Sequence, residues 1–366
     1  MPFFDLTGQQ AALHDEISAA IDAVLRKAAF TGGPFVEEFE NGFADFLGAR
    51  HFAGVSSGSD ALFLALSAMG IGEGDEVIVP ANTFVATAFA VSRLGAVPVF
   101  ADCDALTWQM DPASVESRIT GKTRAMIGVH LYGQAFPVDD LKRLAKQYGL
   151  FLLEDCAQSQ GTVYRGKTVG TLSDAGCFSF YPSKNLGACG QAGGVASADD
   201  ELDQTIRILR SQGSREPYVH EQTGYNMRLD GIQAAVLSVK LRYLQKWNRQ
   251  RAETVRRYRE EISNPLIQFQ GELADTVPAW YLAVVCVPDR QSFMEYMEKK
   301  GIRCGCHYPV PCHLQPAYRS LGYRSGELPN AEFLAEHCVS LPLFPELSEE
   351  EMDRVIKACN AYSGEV

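Results

Sequence analysis

The chain has 366 residues, enough for one large α/β domain and a smaller one with cores of their own. Its composition, 46% hydrophobic and 21% charged, excludes a disordered protein. The net charge of −12 argues against non-specific binding to nucleic acid or to an anionic membrane, although it leaves room for a local basic pocket that holds a phosphorylated ligand.

The N-terminal residues predict two helices and no targeting segment. Residues 1–5 lack the basic stretch and the apolar run of a signal peptide, so we expect a cytoplasmic protein. Apolar residues at helical spacing predict a helix over about residues 13–29, and a second helix is expected over about residues 34–47, after a Gly-Gly-Pro turn. This leading arm is long enough to cross a partner subunit or to flank a site.

The main sheet is predicted to begin at residues 51–55, and the turn that follows has the features of an anion site. Ser57, Gly58 and Ser59 join this strand to an apolar helix. Backbone N–H groups at a helix N-terminus, together with serine hydroxyls, are suited to binding a phosphate. A plain helix cap by serine is the alternative. The Gly-Lys-Ser/Thr ending of a P-loop and the glycine fingerprint of dinucleotide-binding proteins do not occur, which disfavours both of those classes.

Strands and helices then alternate as far as about residue 200, which predicts an α/β fold with a mostly parallel sheet. Phe84 follows a strand at residues 75–80, and its ring is expected either over a flat ligand or, as the alternative, in the core. Asp155 ends an apolar strand at residues 149–155. It therefore lies at the carboxyl edge of the sheet, where open α/β sheets bind ligands, unless it is simply a helix N-cap.

Lys184 follows another short strand. Cys177, Phe178 and Phe180 are apolar, Gly176 and Pro182 flank this run, and several glycines come after the lysine. A lysine at a strand end with glycines after it can contact a flat ligand closely, because glycine has no side chain in the way. Most lysines, however, are simply solvated. Pyridoxal phosphate requires this lysine and a carboxylate such as Asp155. The amine forms a Schiff base with the aldehyde, and the carboxylate keeps the pyridine nitrogen protonated.

The C-terminal part of the chain predicts a second domain. Residues 211–220 have no clear period and predict a long loop, and the helix after residue 230 is expected to continue through Arg251. We expect an N-terminal arm and a large domain over residues 1–249, and a smaller C-terminal α+β domain over residues 250–366.

A group of cysteines and histidines within residues 304–313 suggests a metal site, but its Cys-x-Cys spacing is a poor match to structural zinc motifs. We therefore predict no metal site. The ten cysteines of the chain show no spacing typical of a disulfide scaffold, so free thiols in a reducing cytoplasm are expected.

Several ordered motifs resemble those of the DegT/DnrJ/EryC1/StrS sugar aminotransferases across nearly the whole chain. The matching segments are Ser57-Gly58-Ser59-Asp60-Ala61-Leu62, Thr83-Phe84, Glu154-Asp155-Cys156-Ala157-Gln158, residues 178–187, Gly224-Tyr225-Asn226-Met227-Arg228, Gln233-Ala234-Ala235 and His307-Tyr308-Pro309. The resemblance implies a fold-type I aminotransferase, with pyridoxal 5'-phosphate held as an aldimine on Lys184. It also implies a homodimer with active sites at the subunit interface.

The resemblance also implies roles for individual residues. The catalytic residues are Lys184, which holds the cofactor, and Asp155, which faces the pyridine nitrogen. The other cofactor contacts are Gly58, Ser59 and Ser179 to the phosphate, Phe84 on the ring, Gln158 near the ring hydroxyl, and Asn226 from the other subunit. The candidate substrate contacts are His220, Arg228, His307 and Tyr308. Ser159-Gln160 and Gln191 depart from the commoner pattern, which bears on substrate contacts. Lys184 itself argues against the dehydratase branch of the family, which carries histidine there.

The tract of residues 218–230 looks most like that of members which aminate the sugar 3-position. The expected reaction converts a dTDP-3-keto-6-deoxyhexose into a dTDP-3-amino-3,6-dideoxyhexose with L-glutamate as donor, in the biosynthesis of a polysaccharide or an antibiotic. One alternative is a 4-aminotransferase that acts on an NDP-4-keto-6-deoxysugar. Another is a non-catalytic regulatory protein that binds pyridoxal phosphate. No nucleic acid or membrane partner is expected.

Overall fold

The computed structural model describes residues 1–364 of the chain. Its strands are β1 (His51–Val55), β2 (Glu76–Pro80), β3 (Val97–Ala101), β4 (Thr123–Val129), β5 (Phe151–Asp155), β6 (Val163–Tyr164), β7 (Lys167–Thr168), β8 (Ala175–Ser179), β9 (Gly193–Ser197), β10 (Ser214–Glu216), β11 (Val219–His220), β12 (Gln268–Phe269), β13 (Thr276–Val277), β14 (Ala283–Cys286) and β15 (Cys338–Leu341).

Its α-helices are α1 (Thr7–Ala12), α2 (His14–Lys27), α3 (Pro34–Leu47), α4 (Gly58–Ala68), α5 (Ala86–Ser92), α6 (Pro112–Ser117), α7 (Val138–Tyr148), α8 (Asp200–Arg210), α9 (Gly231–Leu241), α10 (Leu244–Glu261), α11 (Arg290–Lys299), α12 (Pro329–His337) and α13 (Glu349–Ala361). Short 3-10 helices cover Leu131–Gly133, Cys312–Leu314 and Pro316–Leu321. Among these described helices, none combines the length and the apolar character that crossing a bilayer requires.

The main sheet has seven strands in the order β1-β9-β8-β5-β4-β2-β3. The strands from β8 to β3 pair in parallel, whereas β9 runs antiparallel to both of its neighbours. The parallel strands are nearly continuous apolar runs because helices cover both of their faces, as is usual in α/β proteins. The predicted α/β fold with a mostly parallel sheet is therefore confirmed, and β9 is the exception to parallel pairing.

The helices on one face of this sheet form an aromatic core with it. Phe39 and Phe43 of α3 lie edge-on to Phe178 or Phe180 beside β8, with ring centroids 5.1 to 5.3 Å apart. The helix begins at Pro34, which suits a first helical turn, and it ends before Gly48, whose φ of 70° favours glycine. The two N-terminal helices predicted from the sequence thus correspond to α2 and α3.

A smaller antiparallel sheet, β12-β14-β15, forms the core of the C-terminal half with α10, α11 and α13. The start of the chain packs here as well, since the N-terminal ammonium of Met1 donates to the carbonyl of Gly301 at 2.6 Å. A third small sheet, β13-β6-β7, pairs a strand of the C-terminal half with a hairpin of the N-terminal half. The two halves of the molecule are therefore connected at several points.

Two elements differ from the sequence predictions. The single helix expected to continue through Arg251 is divided into α9 and α10 at Arg242 and Tyr243. No glycine or proline marks this break, and both side chains instead bond to Glu16 of α2, at 2.6 Å each, a contact that only the tertiary structure reveals. The long loop expected at residues 211–220 contains the hairpin β10–β11, whose strands are too short to show a period.

Candidate active site

A cavity of about 520 Å³ opens at the carboxyl edge of the main sheet. The ends of β5 and β8, the N-terminus of α4 and the segment after β2 form its walls, and two segments of the C-terminal half close it. It is lined by Ser57, Gly58, Ser59, Leu62, Thr83, Phe84, Ala86, Thr87, Val129, Asp155, Ala157, Gln158, Ser179, Tyr181, Ser183, Lys184, Gln191, Tyr281, His307 and Tyr308. A concave pocket at this edge, with titratable groups in it, is where α/β proteins bind ligands.

Asp155 lies in this cavity with only 5% of its surface exposed. Thr87 donates its hydroxyl to Oδ2 at 2.9 Å, and the N–H of Ala157 donates to Oδ1 at 3.1 Å. Burial raises the pKa of Asp155, while these hydrogen bonds and the charge of Lys184 act in the opposite direction. In the described chain the residues that directly follow β5 form turns rather than a helix, so Asp155 is not a helix N-cap.

A buried polar cluster beneath the cavity holds the end of β5. Glu154 accepts a hydrogen bond from His130 Nε2 at 3.0 Å and from the N–H groups of Gly170 and Leu172 at 2.6 and 2.8 Å. The N–H of Phe136 donates to His130 Nδ1, which assigns the ring proton to Nε2. Burial alone would raise the pKa of Glu154, but these bonds lower it. These hydrogen bonds hold the side chain of Glu154, the residue directly before Asp155, in place.

Lys184 lies in the turn between β8 and β9. Its N–H donates to the carbonyl of Tyr181 at 2.8 Å. The next side chain, Asn185, anchors the turn, because its Nδ2 donates to the carbonyl of Ala279 at 2.8 Å. The amine of Lys184 lies 4.3 Å from the centroid of the Tyr281 ring. The turn therefore presents the amine to the cavity against an aromatic face contributed by the C-terminal half.

Tyr281 places a phenol next to this amine. Its hydroxyl lies 3.2 Å from the hydroxyl of Ser183, and its N–H donates to the carbonyl of Tyr132 at 3.0 Å. Burial raises the pKa of Tyr281, but the charge of Lys184 and the bonds to Ser183 and Lys184 outweigh that effect and lower it below the ordinary value. A phenol with a lowered pKa beside an amine forms a pair that can exchange a proton.

The N-terminus of α4 forms one wall of the cavity. Ser57 is the N-cap of this helix, as one of the two sequence interpretations expects, and the first turn also faces the cavity. A methyl group on Gly58 would lie 2.5 Å from Cβ of Ser179, and one on Gly193 would lie 2.3 Å from the backbone of Ser57. Glycine at these two places therefore permits the close approach of α4 to β8 and β9. The exposed N–H groups and the serine hydroxyls can bind a phosphate.

Gln158, Tyr308 and Phe84 form another part of the wall. Gln158 accepts the N–H of Tyr132 at 2.7 Å and donates its Nε2 to the hydroxyl of Tyr308 at 3.0 Å. The rings of Tyr308 and Phe84 are tilted with their centroids 5.4 Å apart. Phe84 is 52% exposed, so it is not a core residue and its ring is free to cover a flat ligand.

His307 is held as a neutral imidazole. Its Nδ1 lies 2.8 Å from the hydroxyl of Ser340, and its ring stacks on Phe3 with centroids 5.6 Å apart. Burial and the nearby charge of Lys184 lower the pKa of His307 to about 4. At neutral pH this side chain can therefore orient a ligand by hydrogen bonding, but it adds no charge to the cavity.

The cavity brings together most of the residues predicted from the sequence, namely Gly58, Ser59, Phe84, Asp155, Gln158, Ser179, Lys184, His307 and Tyr308. Three others, Asn226, Arg228 and His220, lie outside the cavity of their own chain. Asn226 is exposed, and its Oδ1 accepts a hydrogen bond from Arg228 at 2.8 Å. His220 is exposed on β11, where its Nδ1 lies 2.9 Å from the carbonyl of Gln212.

Two cavity residues were missed by sequence reasoning. Thr87 lies one helical turn after Thr83, on the side of α5 that faces Asp155, and a threonine at that spacing is a weak signal by itself. Tyr281 comes from a segment far along the chain, and no motif there indicates that it meets Lys184.

The cysteines and histidines of residues 304–313 point to different partners, since Cys306 contacts Cys338 and His313 contacts Glu332.

Comparison with known proteins agrees with this geometry. The model of the DegT/DnrJ/EryC1/StrS aminotransferase family matches residues 11–360. The pleiotropic regulatory protein of Geobacillus stearothermophilus is 43% identical, over 98% of this chain and 97% of that protein. The dTDP-3-amino-3,6-dideoxy-alpha-D-galactopyranose transaminase of Aneurinibacillus thermoaerophilus is 42% identical, over 99% of each chain.

Among solved structures, the crystal structure of S. venezuelae DesV in complex with a ketimine intermediate superposes with a TM-score of 0.98. The two chains are 42% identical, and the match covers 100% of this chain and 99% of DesV. The similarity in sequence and in structure extends over the whole of the cavity described above. The protein belongs to the DegT/DnrJ/EryC1/StrS aminotransferase family.

Proposed function

We propose that this protein is a pyridoxal phosphate-dependent aminotransferase that converts a nucleotide-linked 3-keto-6-deoxysugar into its 3-amino derivative. The proposed substrate is a dTDP-3-keto-6-deoxyhexose, the product a dTDP-3-amino-3,6-dideoxyhexose, and the donor L-glutamate. One observation carries the proposal: the buried carboxylate of Asp155 and the amine of Lys184 face the same cavity in a member of an aminotransferase family. The transaminase of A. thermoaerophilus, whose name specifies a 3-amino sugar, supports the 3-position.

The residues of the cavity fit pyridoxal phosphate. The buried carboxylate of Asp155 suits a protonated pyridine nitrogen, and Lys184 suits the aldehyde carbon. The first turn of α4, with the hydroxyls of Ser59 and Ser179, suits the phosphate, and the missing side chain at Gly58 keeps that turn open. Phe84 would cover the ring, and Gln158 would bind its hydroxyl. When bound, the cofactor supplies an electron sink for cleavage of a C–H bond next to nitrogen.

The residues of the chain would then handle charge and protons. Asp155 keeps its negative charge against the ring nitrogen, because Thr87 and the N–H of Ala157 stabilise the ionised form. Nζ of Lys184, in its neutral form, takes a proton from the substrate carbon that carries the nitrogen. Tyr281 lies where it can orient this amine between proton transfers. Glutamate is expected to react and leave as its keto acid before the sugar reacts, which gives ping-pong kinetics.

Three further expectations belong to this proposal. We propose a cytoplasmic homodimer in which Asn226 reaches the phosphate site of the partner subunit, since in its own chain it lies outside the cavity. Arg228 and His220, near it in sequence, are proposed to contact the substrate of the partner in the same way. The division into domains at residues 249 and 250 also stays a prediction, and in the structure α10 crosses that point.

Product analysis tests the proposed position of the new amino group. The holoenzyme is incubated with glutamate and either dTDP-3-keto-6-deoxyglucose or dTDP-4-keto-6-deoxyglucose, and the products are identified by mass spectrometry and NMR. We expect a 3-amino product from the first compound and little turnover of the second. Efficient formation of a 4-amino product would instead establish the alternative reaction. Repeating the assay with the UDP-linked sugars tests the choice of nucleotide.

A regulatory role without turnover is the second candidate, and the name of the G. stearothermophilus relative is the observation in its favour. A single half-reaction distinguishes the two. Glutamate added to the holoprotein should convert the absorbance band of the lysine-bound cofactor into that of its aminated form, and Lys184→Ala should lack the first band. A wild-type band that does not respond to glutamate or to any amino sugar would favour the regulatory role.

A further inference from the structure

A pair of cysteines lies next to the cavity. Cys306 comes directly before His307, and its Sγ is 3.8 Å from Sγ of Cys338, the first residue of β15. The backbone holds the two segments together, because Gly305 and Ser340 exchange two N–H···O bonds of 2.9 Å. The two sulfurs are therefore about 1.8 Å farther apart than the bonding distance of about 2.05 Å, a gap that a shift of Cys306 toward β15 can close.

The surroundings make one of these thiols reactive. Nη1 of Arg290 lies 3.4 Å from Sγ of Cys306. The hydrogen bond with Cys338 and the charge of Arg290 lower the pKa of Cys306 to about 7. By contrast, burial raises the pKa of its neighbours in sequence, Cys304 and Cys312, to about 12. A thiolate beside an arginine is the usual form of a redox-reactive cysteine, because the thiolate is the nucleophile.

The two cysteines also differ in accessibility, which suits a stepwise oxidation. Cys306 is partly exposed, whereas Cys338 is fully buried. The hydrogen bond with Cys306 and the burial of its own side chain raise the pKa of Cys338 well above the ordinary value. An oxidant from solution would thus meet Cys306 first, and Cys338 would be protected from direct attack but positioned to react with an oxidised neighbour.

We propose that Cys306 and Cys338 form a site of reversible oxidation, at which a peroxide converts the two thiols into an intrachain disulfide. The Cys306 thiolate attacks one oxygen of hydrogen peroxide, an S–O bond forms, the O–O bond breaks, and hydroxide leaves. The Cys338 sulfur then attacks Cys306 Sγ, loses its proton, and releases water. In total, two thiols and one peroxide give one disulfide and two molecules of water, and a dithiol reductant reverses the change.

The disulfide would act on the cavity through the residues that follow Cys306. His307 bonds to Ser340, and Tyr308 accepts a hydrogen bond from Gln158. Moving Cys306 by more than 1 Å toward β15 disturbs both contacts, since the next residues along the chain must follow it. We expect oxidation to lower turnover severalfold and reduction to restore it. This consequence rests on the proposed function, whereas disulfide formation does not.

Peptide mapping of the full-length holoprotein tests the site. The protein is treated with hydrogen peroxide, the remaining thiols are alkylated, and the digest is analysed by mass spectrometry with and without reductant. We expect a linked pair of peptides that contain Cys306 and Cys338, and an intact chain lighter by two hydrogen atoms. Absence of this link while other cysteines are oxidised would overturn the proposal.

Four variants test the assignment. Cys338→Ser should leave Cys306 as a sulfenic acid that a dimedone-type reagent traps, and Cys306→Ser should prevent both trapping and linkage. Cys189→Ser removes an exposed cysteine elsewhere and should leave the link unchanged. Arg290→Gln should slow the reaction of Cys306 with peroxide at pH 7 severalfold. A link that persists in Cys306→Ser, or that requires Cys189, would contradict the assignment, and the wild-type map answers the question even where a variant folds poorly.

If the reduced enzyme transaminates and its turnover is unchanged after complete conversion to the disulfide, the coupling to the cavity is wrong while the oxidation site stands. If the reduced enzyme shows no transamination at all, the proposed function fails, and the peptide map still decides whether the disulfide forms.

Discussion

At the scale of single residues, the environment of Asp155 calls for a positive charge opposite its carboxylate. Its carboxylate is buried, and it accepts just two hydrogen bonds, from Thr87 and from the backbone of Ala157. A buried carboxylate without a partner charge is costly, and desolvation accordingly raises its pKa. Lys184 compensates part of this cost across the cavity. A protonated pyridine nitrogen would compensate the rest.

We expect Asp155→Ala to lower kcat by about a thousandfold or more, because the ring nitrogen loses the charge that keeps it protonated. Asp155→Asn should be nearly as impaired, since it keeps the shape but not the charge. Steady-state rates at saturating cofactor measure the effect. Asp289→Ala, at the exposed N-cap of α11, is the matched control and should retain its rate. Asp155→Ala activity within tenfold of the wild type would refute the role.

The low pKa of His307 predicts acid sensitivity. Its folded-state value of about 4 lies below the unfolded value of 6.5, so protonation favours the unfolded chain. The contribution of His307 to stability is complete above pH 6.5 and is lost as the pH falls toward 4. Allowing for partial solvent screening, we expect a loss of about 1 kcal/mol in the free energy of unfolding between pH 7 and pH 5.

Urea denaturation of the wild type and of His307→Gln at these two pH values measures this loss. The variant should show the smaller change, since it has no titrating ring at that position. An equal change in both proteins would assign the acid sensitivity to other groups. The buried Glu154 is not among them, because its lowered pKa makes its contribution disappear only at a pH below 4.5.

At the level of elements, the site depends on how closely α4 approaches β8 and β9. Strand register brings Ser179 opposite Gly193, and a Cβ on Gly193 would lie 2.3 Å from the backbone of Ser57. No side chain fits between them. The first turn of α4 is therefore fixed against the strand end that leads to Lys184, which places an anion-binding helix terminus near the amine.

Gly58→Ala is expected to weaken pyridoxal phosphate binding by roughly tenfold or more, because its Cβ would lie 2.5 Å from that of Ser179 and must displace the helix terminus. Titration of the cofactor by absorbance measures this. Gly72→Ala serves as the control, since a Cβ there meets no atom within 4 Å. Equal cofactor affinity in the two variants would show that the approach of α4 is not required.

At the level of the whole molecule, the cavity is closed by parts of the chain that are far apart in sequence. The main sheet supplies Asp155 and Lys184, whereas Tyr281 and Tyr308 come from the C-terminal half. The first residues of the chain support that half, since Phe3 stacks on His307. Asn226, which the family resemblance assigns to the site, lies outside the cavity of its own chain. A shared site between two subunits is the arrangement that would use it.

Subunit complementation tests the shared site. Lys184→Ala and Asn226→Ala should each be impaired as homodimers. If each site combines Lys184 of one subunit with Asn226 of the other, mixed dimers carry one intact site, so random mixing should restore about a quarter of wild-type activity. Activity after denaturation and refolding of the mixture, compared with each variant alone, measures the effect. No restoration in a mixture shown to contain heterodimers would contradict the shared site.

Much of this organisation follows from the sequence. Apolar strands that alternate with helices predicted the parallel sheet, and the end of one strand at Asp155 and of another before Lys184 predicted which side chains reach its carboxyl edge. The break between α9 and α10 and the hairpin at β10–β11 were not predicted. The break contains no glycine or proline, and its two residues bond to Glu16 of a distant helix, whereas the hairpin strands are too short to carry a period.

By itself, the sequence determined that a mostly parallel sheet forms and which polar side chains follow its strands. These features depend on local periodicity and on residues near one another in the chain. Only the tertiary structure decided that Thr87 supports Asp155, that Tyr281 lies against Lys184 and that Cys306 meets Cys338. These contacts join segments far apart in sequence, which only the packing of the folded chain brings together, and no local pattern encodes them.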